Sequence, residues 1–309
     1  MKKIVIYIKE FLSEEFNISY FVFIALFLSG LITVNYLYDF EDNFRRAYLG
    51  SAIYYFYTFL YYAFPYIIAI VAYIICYKKY HLFTNKSLWF SVLFLLVSLS
   101  INEGFNFHRE YLRLHFPDPI YYYVKICVVN FASFFLYTFP LLVYWWLYDK
   151  KQQPFYGLNA KFDAKPYFIM ILLMVPLITW ASFQADFLQA YPIYNGKGIV
   201  YLLQLKNWQG LLIFETCYSL DFVAIEIAFR GFMILAIGKY LGKGAILPMV
   251  TLYCVFHFGK PLGETISSIF GGLILGILAY NTRSIYGGVI IHLGVALMME
   301  AGAMLQKGI

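Results

Sequence analysis

Long apolar runs broken by short polar stretches dominate the chain. Crossing the roughly 30 Å hydrocarbon core takes about 20 mostly apolar residues in a helix. The pattern predicts such helices over 18–38, 51–77, 87–102, 121–147, 167–190, 209–238, 244–258, 264–281 and 284–306. The expected fold is therefore an all-α, polytopic transmembrane helical bundle of about eight or nine spans. The runs 87–102 and 244–258 are short, and Pro248 predicts a bend in the second. The most polar stretch, 148–166, divides the chain into N-terminal transmembrane helices of unassigned role (1–165) and a C-terminal core (166–309). No internal repeat is visible.

Composition sharpens this picture. Of 309 residues, 62% are hydrophobic and 13% charged, with a mean hydropathy of +0.69. Soluble domains are nearer half apolar and a quarter charged. In water, a fold of this composition exposes far too much apolar surface. Tyr and Phe number 31 and 32, and tyrosine suits the membrane–water boundary, where the ring is buried and the hydroxyl wet. Cys76, Cys127, Cys217 and Cys254 all lie in apolar runs without a CxxC pair, so they read as small buried apolar groups. The first 17 residues carry Lys2, Lys3, Lys9, Glu10, Glu14 and Glu15 and lead to no small-residue cleavage site. The first apolar run is thus expected to stay as a span.

The net charge of +6 comes from basic residues scattered through short loops rather than gathered in one patch. That argues for membrane topology and against a nucleic-acid partner. With nine spans and a cytoplasmic N-terminus, 13 Lys and Arg fall inside and nine outside, with Arg230 within a span. The positive-inside rule favours this orientation, as expected for the inner membrane of a bacterium.

Ionisable groups inside spans are costly and mark function. They cluster in the C-terminal third: Glu215, Asp221, Glu226 and Arg230 in one helix, His257 ending the next, Glu264 opening another, and His292 with Glu300 in the last. Glu226 and Arg230, four apart, share a helix face and can form a structural ion pair. His292 and Glu300, eight apart, point the same way. A lone buried histidine is ordinarily a packing residue. Two histidines and two glutamates on neighbouring helices, however, supply each other's partners most cheaply. Gly271, Gly272, Gly276, Gly287 and Gly288 form small faces that let these helices approach closely.

The strings EIAFRGF (226–232), FHFGKP (256–261) and GGVIIH (287–292), in that order on successive helices, resemble the CPBP family, which includes Rce1-like CAAX prenyl endopeptidases. The resemblance covers roughly 165–305. It implies a glutamate-type intramembrane peptidase in which a Glu and a His activate water while a second His and an Asn or Asp stabilise the oxyanion. By position, Glu226, His257 and His292 take catalytic roles, with Arg230 supporting. The family's first Glu falls on Ile225, its Phe on Tyr253 and its Asn or Asp on Ala296, with Glu300 one turn beyond as a substitute.

Three other readings stand beside this one. A catalytically divergent relative acts as a membrane scaffold, immunity factor or assembly partner, which Ile225 and Ala296 favour. A His257–His292–Glu226 zinc set is chemically reasonable, but no HExxH helix supports it, so no cofactor is expected. A transporter would be built from broken helices in repeats, and none is visible. The expected partners are a peptide or membrane-protein substrate, the lipid bilayer, and a membrane protein docking on the N-terminal spans.

Overall fold

A computed structural model of the chain describes residues 2–106, 108–158, 162–194 and 202–308. Lys161 and Lys197, used in the topology count, lie outside them. Among the described residues every regular element is helical. The order is α1 (Lys2–Glu15), α2 (Ile18–Tyr38), α3 (Ala52–Cys76), α4 (Lys86–Gly104), α5 (His108–His115), α6 (Asp118–Tyr144), α7 (Lys165–Ala181), α8 (Ala185–Ala190), α9 (Asn207–Glu226), α10 (Gly238–Leu241), α11 (Ile246–Phe256), α12 (Leu262–Thr282) and α13 (Tyr286–Lys307). α6 runs on as a π-helical turn over Trp145–Asp149, and α9 as a longer π-helical stretch over Ile227–Ala236.

Local chemistry sets these boundaries. The Asn17 side chain accepts from Tyr20 N and starts α2. Asp39, in the left-handed conformation at φ 50°, ends it. Among the described residues six helical stretches, at Ile18–Tyr38, Ala52–Cys76, Lys86–His115 (α4 with α5), Ile120–Asp149, Leu262–Thr282 and Tyr286–Lys307, are long and apolar enough to cross a membrane. Much of their apolar surface finds no protein partner. Leu26 of α2, for example, is 69% exposed. Lipid is the solvent that such a surface requires, and the chain is an integral membrane protein.

Three expected spans take another form. The run 167–190 is split: α7 ends at Ala181, and α8 restarts after Gln184 in extended conformation. The run 209–238 is one continuous helix that changes from α to π at Glu226 and is not among the six. The run 244–258 shrinks to α11, whose 11 residues reach only about 16 Å. Residues 246–255 of α11 are all buried, and it packs against α2, α3 and α12. A helix apolar all round is either a span or a core helix, and here length decides for the core. Pro248 sits in its first turn, where the missing N–H is harmless.

Contacts divide the chain into two compact units. The first comprises 1–104, 140–162 and 227–287 and is centred on α11. The second comprises 105–139, 163–226 and 288–309. Its core holds Tyr123, Cys127, Phe214, Tyr218 and Ala296 in one cluster and Phe187, Tyr191 and Ala303 in another. Of the crossings between units, only the one at 162/163 falls near the 165/166 division drawn from the sequence.

Candidate active site

Glu226 closes the α-helical part of its helix and has 0% exposure. Its Oε1 lies 3.2 Å from His292 Nδ1 in the second turn of α13, a side chain 14% exposed. An ionised carboxylate can only accept, so Nδ1–H is then the donor of this contact. Phe222, one turn before Glu226, packs its ring 4.4 Å from the imidazole at 53° and limits how the ring can turn. Gly288 lies one turn before His292 on the same face. A Cβ there would overlap Glu226 Oε2, so this glycine forms the notch that receives the carboxylate. Sequence reading took Gly288 for general packing. Its four-residue spacing from His292 was the signal that could have singled it out.

Glu300, 1% exposed, is occupied elsewhere in the same unit. Its Oε1 accepts from Ile193 N at 2.9 Å and its Oε2 from Tyr194 N at 3.1 Å. These bonds anchor the segment after α8. A carboxylate held by two donors does not supply the donor that an oxyanion needs at position 296. Ala296 itself is packed among Tyr123, Cys127, Phe214 and Tyr218.

The other motif residues lie in the first unit. Arg230, with 0% exposure, falls within the π-helical stretch. Its guanidinium lies 4.2 Å from the centroid of Tyr253, a cation–π contact. The Phe-to-Tyr departure thus keeps the aromatic face beneath the arginine. His257 caps α11, and its Nδ1 lies 2.8 Å from the Tyr253 carbonyl, which fixes the proton on Nδ1.

Sequence reading missed the parts of the N-terminal helices that hold the His257 turn. Tyr36 Oη donates to the Lys260 carbonyl at 2.6 Å and lies 2.6 Å from Thr265 Oγ1. Thr265 Oγ1 in turn donates to the His257 carbonyl at 2.7 Å. Gly259, at φ +83°, leaves space for Glu41, since a Cβ there would stand 2.7 Å from Oε2. Glu41 pairs with Arg45 and, at 3.3 Å, with Arg46, and Arg45 reaches Glu103 at 2.9 Å. Burial pushes the Glu41 carboxyl above its ordinary range, against the pull of both arginines. No sequence motif marks Tyr36 or Glu41.

Among the described residues no group of three His, Cys, Asp or Glu side chains has the arrangement to hold a metal ion.

The fold and the buried Glu–His pair define a helical integral membrane protein with ionisable chemistry at depth. Residues 207–298 match the family model described as Type II CAAX prenyl endopeptidase Rce1-like, of the CPBP family. The match includes all three motif strings and is narrower than the resemblance over 165–305. No curated protein and no solved structure matched the chain.

Proposed function

We propose that this protein is a glutamate-type intramembrane peptidase that cuts a membrane-associated peptide or protein near the cytoplasmic boundary, with Glu226 and His292 activating the attacking water. The observation that carries this reading is the 3.2 Å contact between a fully buried carboxylate and a partly accessible imidazole. Glu226 orients the ring and stabilises the imidazolium, and Nε2 removes a proton from water. The resulting hydroxide attacks the scissile carbonyl. The C–N bond then breaks, and the proton passes to the leaving amine. The resemblance assigns His257 to the same reaction. The excess of Lys and Arg in alternate loops supports a cytoplasmic N-terminus in a bacterial inner membrane.

A second reading, a catalytically divergent relative that holds a membrane partner, is favoured by one observation. The position expected to carry an oxyanion donor is Ala296, sealed into an apolar cluster.

The test is cleavage of membrane-inserted and prenylated C-terminal peptides by purified protein, with products identified by mass spectrometry. Glu226→Ala, His257→Ala and His292→Ala are each expected to lower turnover on the order of 100-fold or more while the protein stays folded. Cleavage that survives all three changes sinks the assignment. A wild type that cuts none of these peptides favours the second reading.

A further inference from the structure

A group of basic side chains in the second unit belongs neither to the candidate active site nor, among the described residues, to any ion pair. α5 carries His108, Arg109 and Arg113, and Lys125 lies two turns into α6. The Arg113 guanidinium is 5.5 Å, and the Lys125 ammonium 5.9 Å, from the ring centroid of the buried Tyr121. Arg109 and Arg113 are close enough to Lys125, and Arg109 and Lys125 close enough to His108, for their charges to act on one another. Both ring nitrogens of His108 and Nε of Arg109 are shielded from solvent without a hydrogen-bond partner. Among the described residues no carboxylate lies within ion-pair distance of Arg109, Arg113 or Lys125.

Glu110 and Asp118 lie on the same helices but are not, among the described residues, ion-paired with these side chains, and gathering cations without a paired carboxylate is unfavourable unless an anion from outside joins them. The group spans the end of one apolar stretch, Lys86–His115, and the start of the next, Ile120–Asp149, and the ends of spans are where charged side chains meet lipid headgroups. On the orientation favoured by the Lys and Arg count, these residues fall on the outer side, where topology gives no reason for them. Arginine forks match phosphate oxygens in pairs, lysine adds a point charge, and His108 offers a further donor.

We propose that His108, Arg109, Arg113 and Lys125 bind the phosphate of an anionic phospholipid headgroup. Basic residues beside a membrane surface draw anionic lipid in this way. The proposal does not depend on peptidase activity.

The test uses the full chain in a neutral detergent, with retained lipid read by native mass spectrometry and unfolding temperature read alongside. Phosphatidylglycerol is expected to be retained and to raise the unfolding temperature, while phosphatidylcholine and inorganic phosphate do neither. The triple change R109Q/R113Q/K125Q should weaken phosphatidylglycerol binding on the order of 100-fold, while Lys9→Gln and Lys86→Gln in the first unit leave it unchanged. If the triple variant does not fold, Arg113→Gln and Lys125→Gln taken singly should each weaken binding about fivefold. Equal retention of phosphatidylcholine, unchanged binding by these variants, or an equal shift with inorganic phosphate alone overturns the proposal.

Discussion

A carboxylate with no exposed surface must be held by partners, because burying an uncompensated charge costs several kcal/mol. For Glu226 the partner on its own unit is His292, and the space for the pair comes from Gly288. Gly288→Ala is therefore expected to push Glu226 Oε2 out of its notch, cost about 1–3 kcal/mol, and lower turnover far more than it lowers the unfolding temperature. Gly287→Ala, one position away, serves as the comparison in paired kinetic and thermal measurements. Glu226 and His292 are both visible in the sequence as ionisable residues inside apolar runs that can partner one another. Which glutamate meets which histidine is not, since the contact joins residues 66 positions apart. Glu300 shows the opposite outcome. Its spacing from His292 suggested a shared site, yet two backbone donors at Ile193 and Tyr194 take its carboxylate. Backbone donors have no sequence signature, so spacing alone could not foresee them.

At the scale of elements, apolar periodicity set five spans to within two residues at each end. The expected 18–38, 51–77, 87–102, 264–281 and 284–306 appear as α2, α3, α4, α12 and α13. It misjudged α11, because an apolar run of intermediate length reads alike as a span or as a core helix. The π-helical stretch Ile227–Ala236 was also invisible, since a change of hydrogen-bond register leaves the hydrophobicity of its residues unchanged. The glycines of α12, read as a single small face, have separate tasks. A Cβ on Gly276 would stand 2.8 Å from Met249 Cε and 3.2 Å from Ile246 Cγ2, whereas one on Gly271 would meet nothing within 4 Å. Gly276→Leu should force α12 away from α11 and destabilise the protein by about 1–3 kcal/mol. Gly271→Leu should leave the thermal midpoint almost unchanged. Similar losses from both would show that α12 is not packed on α11 through Gly276.

For the whole molecule, the N-terminal helices gain a task that composition did not reveal. Tyr36 and Glu41 come from the half without motifs, yet they support the turn after His257. Tyr36→Phe removes the donor to the Lys260 carbonyl. It is expected to lower kcat several-fold with KM nearly unchanged, because it disturbs the support of His257 and leaves substrate binding alone. A change confined to KM would instead place Tyr36 in substrate binding. The first unit draws on residues from both sides of the 165/166 division. Residues 166–309 expressed alone should therefore fail to give a folded, detergent-stable protein by size-exclusion chromatography. A monodisperse fragment would contradict the interleaved architecture.

The most direct test of the central claim is the single-turnover cleavage rate of wild type against Glu226→Gln on the same membrane peptide. Glutamine keeps the size and one oxygen that can accept from His292, but it puts an NH2 in place of the second oxygen and loses the negative charge. If Glu226 and His292 activate water, the rate falls on the order of 100- to 10,000-fold with substrate affinity retained. Cleavage by Glu226→Gln at the wild-type rate would contradict the account.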